Sequence, residues 1–299
     1  MKKTTFIKFG IVGTGMVGTA IGFLLKNAGH DIVMVADKNK AALKRASSLM
    51  SASALKAPSS MANFVDCILI TTPDDMILSA CGEIARNPAI RDKHVFHMSG
   101  AGSLNLLSPA KKAGASVASI HPLQSFSSVE GAMANLPGSY FGVTADTRSK
   151  KMALRIIVDL QGKPLIISPR QKPLYHAAAC VASNYFVTLM YVVESLCQTA
   201  GINANDAQKA FLPLVAGSLN NIGQNGALRA LTGPIARGDV ATIQKHIAAL
   251  GQSAQDLLPL YTEMGRLTVT IALEKGTIKK HQVKSLIEAL KGAADEHAK

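Results

Sequence analysis

The chain has no tryptophan, and aromatic residues of every kind make up only 5% of it. Proteins that hold single-stranded nucleic acid stack bases on aromatic rings set among basic residues. Here the lysines and arginines stand singly or in pairs without rings between them, so no nucleic-acid partner is expected. Acidic residues are also scarce, with 19 Asp and Glu against 32 Lys and Arg, a formal net charge of +13. A positive field of this kind equally attracts an anionic dinucleotide or a carboxylate substrate. Charged residues amount to 17% and hydrophobic ones to 48%, which excludes a disordered chain and provides for a large core.

Cysteine is sparse too. Cys67, Cys81, Cys180 and Cys197 are far apart and form no CxxC or Cys/His ligand spacing, which points to reduced thiols and a cytoplasmic protein. Of the eight histidines, His30, His94, His97, His246, His281 and His297 form no ligand set either, and no metal is expected. The start, Met1-Lys2-Lys3-Thr4-Thr5-Phe6, has the basic residues of a leader, but Lys8, Gly10, Gly13 and Gly15 break the apolar stretch after it, which argues against export. No window reaches the roughly 18 uncharged apolar residues of a membrane span. Ala177 to Val193 comes near, but Asn184 in its middle, with His176 and Glu194 at its ends, reads as a buried helix of a soluble protein. No membrane partner is expected.

What is present is an alternation. From Phe6 to about Ser168, β-rich runs (Phe6 to Val12, Asp31 to Ala36, Asp66 to Thr71, His94 to Met98, Ser116 to Ile120, Tyr140 to Thr144, Pro164 to Ile167) alternate with helix-like stretches. That pattern predicts an α/β domain over residues 1–168, a Rossmann-type doubly wound, largely parallel sheet. Beyond Pro169 the strands stop. Helices are predicted near Gln171 to Ala200, Asn205 to Gly223, Asp239 to Leu250, Ser253 to Glu274 and Lys280 to His297, making 169–299 an all-helical domain for substrate binding and dimerisation.

Gly13-Thr14-Gly15-Met16-Val17-Gly18 is a GxGxxG between the first strand and the first helix. Gly13 permits the tight turn, Gly15 lets a pyrophosphate approach the backbone, and Gly18 lets the helix pack closely on the strand. Asp37, at the end of the second strand, is placed to accept a ribose hydroxyl and favour NAD, whereas Lys38 beside it can neutralise a 2′-phosphate; the cofactor is NADP or NAD. Thr72-Pro73 and Ser99-Gly100 follow two further strands, at the edge where such sheets bind ligands.

These segments, with His121-Pro122-Leu123-Gln124-Ser125-Phe126, the run from Tyr175 to Tyr185, and Leu231-Thr232-Gly233-Pro234-Ile235-Ala236-Arg237-Gly238-Asp239, resemble the bacterial Rossmann-like oxidoreductases whose C-terminal part is the domain of unknown function 2520. More distantly, the arrangement is similar to ketopantoate reductase, pyrroline-5-carboxylate reductase and the β-hydroxyacid dehydrogenases. The resemblance implies an NAD(P)-dependent oxidoreductase acting on a small carboxylate-bearing keto or imino compound, such as a ketopantoate-like 2-oxo acid. Ketopantoate reductases carry Lys-x3-Asn-x3-Asn on the first long helix after the sheet; at that spacing this chain has His176, Cys180 and Asn184, and only Asn184 matches. The missing lysine leaves a second reading open, a dinucleotide-binding sensor or scaffold without turnover.

Hydride delivery requires a proton donor and a group that orients the substrate. His176 is the candidate donor. Asn184, expected to be buried and therefore to need a hydrogen-bond partner, is the candidate for orienting substrate. His121, at the exit of a strand before Pro122, is a second catalytic candidate. Arg237, before a helix that Asp239 is expected to cap, is the candidate clamp for a substrate carboxylate. Apolar stretches at Leu257 to Leu260 and Leu267 to Leu273 predict a homodimer.

Overall fold

The computed structural model describes residues 6–55 and 57–291; the Met1–Thr5 leader-like start and the expected helix end at His297 lie outside the described residues. The chain runs β1 (Lys8–Val12), α1 (Met16–Asn27), β2 (Asp31–Ala36), α2 (Lys40–Met50), β3 (Ser53–Leu55), β4 (Cys67–Ile70), α3 (Asp74–Ile84), β5 (His94–His97), α4 (Ser108–Lys112), β6 (Ser116–Pro122), α5 (Val129–Asn135), β7 (Tyr140–Ala145), α6 (Lys150–Asp159) and β8 (Lys163–Ile166). The helices α7 (Lys172–Cys180), α8 (Phe186–Thr199), α9 (Ala204–Ala230), α10 (Val240–Ser253), α11 (Leu258–Lys275) and α12 (Lys280–Lys291) follow.

All eight strands form one sheet in the order β3-β2-β1-β4-β5-β6-β7-β8. Every pairing is parallel except β6 with β7. Strand side chains alternate between faces: Cys67 and Leu69 of β4 join one buried cluster with α1 and α6, while Ile68 and Ile70 join another with α3 and α4. A central strand covered on both faces reads as an unbroken apolar run, as Cys67–Ile70 does.

By contacts the chain divides into two compact units, residues 1–184 and 185–299. The strands end near the expected boundary at 168, but the first compact unit continues through α7. In the second unit α10, α11 and α12 supply most of the core, with Ile243, Ile247, Val269, Leu286 and Leu290 at its centre.

Two expectations about the first long helix need correcting. Most of it is not buried: Lys172–Thr199 is long and apolar enough to cross a membrane, and none of its most apolar 18-residue window is covered, although Lys172 at its start is buried. Asn184 is likewise exposed. Hydropathy records that a surface is apolar; whether the same chain covers it is a matter of packing. The helix is also interrupted by a π-helical turn, Val181–Tyr185, between α7 and α8. The i→i+5 pattern of that turn shifts the register after Cys180, so Asn184 does not simply continue the face of His176 and Cys180. In α9 the expected helix runs on past Gly223, with a break at Gly226, whose φ is +76°.

Candidate functional site

The glycine turn divides its roles as the motif requires. Gly13 has φ +97°, and a Cβ there would strike the Thr71–Thr72 backbone; a Cβ on Gly18 would strike the Gly13 carbonyl and the Thr71 hydroxyl. Both glycines are needed by the fold itself. Gly15 differs, because a Cβ there would meet nothing within 4 Å: it faces open space, where a ligand can reach the backbone. Helix α1 begins here with no side-chain cap and no acidic residue in its first turn, so its N-terminal N–H groups and dipole are available to an anion. Met16 is exposed and Val17 half-buried. The buried Thr72 hydroxyl at the end of β4 has no hydrogen-bond partner among the described residues. Together these features fit a dinucleotide pyrophosphate.

Asp37 is committed to this turn. Its Oδ2 accepts from the Thr14 N–H and from the Thr14 hydroxyl (3.0 Å), and its Oδ1 accepts from the Asn39 N–H at 2.7 Å. Lys38 and Lys40 are exposed beside it.

A second cluster forms where β5 and β6 end. Ser99 follows β5 and is bonded at every polar atom: its N–H donates to His97 Nδ1 (3.1 Å), its hydroxyl donates to Asp74 Oδ2 (2.6 Å) and accepts from the Gly102 N–H (2.7 Å), and its carbonyl accepts from Ser119 Oγ (3.2 Å) and Lys172 Nζ (3.1 Å). The next residue, Gly100, lies under two imidazoles. A Cβ there would collide with His176 Nδ1 and would lie 2.9 Å from His121 Nε2, so only glycine lets both rings approach this point. Their centroids are 5.7 Å apart. His176 comes from α7, where its Nδ1 is buried with no hydrogen-bond partner among the described residues and its Nε2 lies 3.7 Å from Cys180 Sγ.

His121 sits on β6 opposite Gly142 of β7, and its Nδ1 is 3.0 Å from the Tyr175 hydroxyl. The other ring nitrogen, Nε2, faces Gly100. Burial, reinforced by His176 and Lys172, lowers the His121 pKa to about 4. Burial, with help from Lys172, lowers that of His97 likewise to about 4. Tyr175 is raised by its own burial.

Sequence reasoning thus located His121, His176, Ser99 and Gly100, which the fold brings together, and the strand-end segment that holds Asp74, but it missed Lys172, Tyr175, His97 and Ser119. The one available signal was Lys172, a full turn before His176 in an apolar helix. Arg237 is in the second unit, exposed, and followed by Asp239, which caps α10 by accepting from the Thr242 N–H at 3.0 Å. Among the described residues no group of three or more His, Cys, Asp and Glu side chains is arranged to hold a metal ion.

Two family models match the chain, a Rossmann-like domain over residues 2–122 and the domain of unknown function DUF2520 over residues 139–268. The chain is a Rossmann-like protein with a DUF2520 domain. The DUF2520 match opens at the start of β7, so this domain supplies the last two strands as well as the helix that carries His176. Among solved structures the Rossmann-like–DUF2520 chain is similar to protein TM1727 from Thermotoga maritima, with 25% identity, 89% of this chain and 99% of that one covered, and a TM-score of 0.70. It also resembles a reductive aminase from Aspergillus terreus in complex with NADPH and ethyl levulinate (15% identity, 95% and 99% covered, TM-score 0.63). A third is the pyrroline carboxylate reductase of Plasmodium falciparum with NADP bound (15% identity, 95% and 98% covered, TM-score 0.57). The likeness to the last two establishes the fold alone. No curated protein sequence matches the chain.

Proposed function

We propose that the chain is an NAD(P)-dependent oxidoreductase that reduces, or in reverse forms, a small carboxylate-bearing keto or imino compound. The observation that carries this reading is the glycine turn, in which Gly13 and Gly18 are required by packing while Gly15 alone opens outward at an uncapped helix N-terminus. Fold neighbours described with NADP or NADPH bound support it.

A bound nicotinamide supplies the hydride. The chain's own residues handle the proton and the orientation. His121, neutral near pH 7, acts in the tautomer that accepts the Tyr175 hydroxyl proton at Nδ1 and presents Nε2–H as a hydrogen-bond donor to the reacting oxygen or nitrogen. His176, whose Nδ1 faces the same point over Gly100, holds the proton to be transferred. Asn184 orients substrate. The exposed apolar residues of α8 and α9, with Tyr191 at 69% and Leu214 at 63% exposure, are the face on which a second copy of the chain would pack.

Calorimetry with NADPH and NADH, then a screen of keto and imino acids followed by loss of the reduced nicotinamide absorbance, tests this reading. With a substrate in hand, His176→Gln should lower turnover by about 100-fold to 10,000-fold while leaving dinucleotide affinity nearly unchanged. Failure to bind either dinucleotide would end the proposal. Binding without turnover across the screen would favour the sensor or scaffold.

A further inference from the structure

Lys172 is the largest charged side chain buried in the molecule, with 1% of its surface exposed, and the reduction proposed above gives it no role. An ammonium is rarely taken out of water unless it is hydrogen-bonded to specific partners. Here it donates to Ser119 Oγ at 2.8 Å and to the Ser99 carbonyl at 3.1 Å. Those acceptors stand at the carboxyl ends of β5 and β6, and Lys172 is the first residue of α7. His176 is four residues on, one helical turn further along the same side of the helix.

We propose that Lys172 is the positioning residue of the site, pinning the first turn of α7 to Ser99 and Ser119 so that His176 is held over Gly100 facing His121. The inference rests on the oxidoreductase reading for its purpose, while its geometry stands independently. Ser99 is already fixed through its N–H, hydroxyl and carbonyl, so the lysine attaches the helix to the most constrained residue on this edge of the sheet. Without that attachment the first turn of α7 would keep the Tyr175–His121 contact but lose its tie to Ser99 and Ser119, and the His176 ring would no longer be held at the space that Gly100 leaves open.

The same ammonium acts on the histidines electrostatically. The ionisable groups that influence His121 are His176, Lys172, His97 and Asp74; the first three disfavour its protonation and Asp74 favours it. Lys172 is itself lowered to about 8 by burial, with Asp74 opposing, so near pH 7 it carries its charge and helps keep His121 neutral.

Histidine-ring nitrogen spectra of the full chain, recorded from pH 4 to pH 8 and assigned with His121→Gln and His176→Gln, test the proposal without any substrate. Lys172→Met keeps the length of the side chain and removes the charge. In it the His121 titration should move upward by about half a pH unit or more, and the His176 ring signals should shift or broaden as the ring leaves its single position. Ser119→Ala removes one of the two acceptors with little change in packing, so it provides a folded test if the lysine variant does not fold; it should perturb His176 in the same sense but less. A lysine that only stabilised the fold would lower the melting temperature and leave the ring spectra of the folded protein unchanged. His121 and His176 signals superimposable on the parent's in the folded variants would overturn the assignment. NADPH binding on the same samples separates the two readings: its absence in the parent protein removes the dinucleotide, whereas the ring spectra decide on Lys172.

Discussion

Acidification should weaken the fold between pH 6.5 and pH 4, because His97 and His121 are folded in as neutral rings. His97 shows the reason most clearly: its Nδ1 accepts from the Ser99 N–H at 3.1 Å, and its other nitrogen meets the Ser103 carbonyl at 3.3 Å. A second ring proton would turn the accepting nitrogen into a donor facing an N–H. The folded pKa is about 4 against an ordinary 6.5, so on acidification the unfolded chain takes up the proton first. A group depressed in this way contributes stability that is fully present above the unfolded pKa and lost as pH falls towards the folded one. Taking 6.5 and 4, each such histidine loses about 1.8 kcal/mol between pH 7 and pH 5. The two together lose about 3.6 kcal/mol if they titrate independently. Lys172 does not enter this window, since it is protonated both folded and unfolded below pH 7. Because the chain has no tryptophan, urea unfolding is best followed by far-ultraviolet circular dichroism at pH 7 and pH 5. His97→Gln should reduce the pH-dependent loss by about 1.8 kcal/mol, whatever it does to stability at pH 7. An equal loss in the parent and His97→Gln proteins, or none in the parent, would refute the neutral buried ring.

Gly15→Ala should fold with a nearly unchanged melting temperature and bind NADPH more weakly, since its Cβ meets only the space a pyrophosphate would take; Gly18→Ala should instead be destabilised by about 1 to 3 kcal/mol, the usual cost of overpacking. Loss of stability in the first, or full stability in the second, would contradict the geometry of the turn. Light scattering at micromolar protein should give twice the 31.4 kDa chain mass, and the double change Tyr191→Glu with Leu214→Glu should return the monomer; a monomer in the parent protein at all concentrations would count against the dimer.

The elements and the glycine turn were legible in the sequence, because both depend on neighbours close along the chain. Strand alternation, helix periodicity and the spacing of Gly13, Gly15 and Gly18 are local patterns, and the structure confirms the Rossmann-like sheet and the helical second half on which they bear. The sequence also yielded His121, His176, Ser99 and Gly100 as separate residues, each at the end of a strand or on the following helix. Which of them meet depends on contacts between distant parts of the chain. Lys172 reaches Ser99 across 73 positions and Ser119 across 53, and Tyr175 meets His121 across 54. No period or spacing encodes such a contact; it arises from the order in which parallel strands are laid side by side and from where the next helix crosses their ends. Burial was decided in the same way. The apolar run around Asn184 promised a covered helix, and the fold left it open, because hydrophobicity fixes that a surface seeks a partner and packing fixes whether the chain itself provides one.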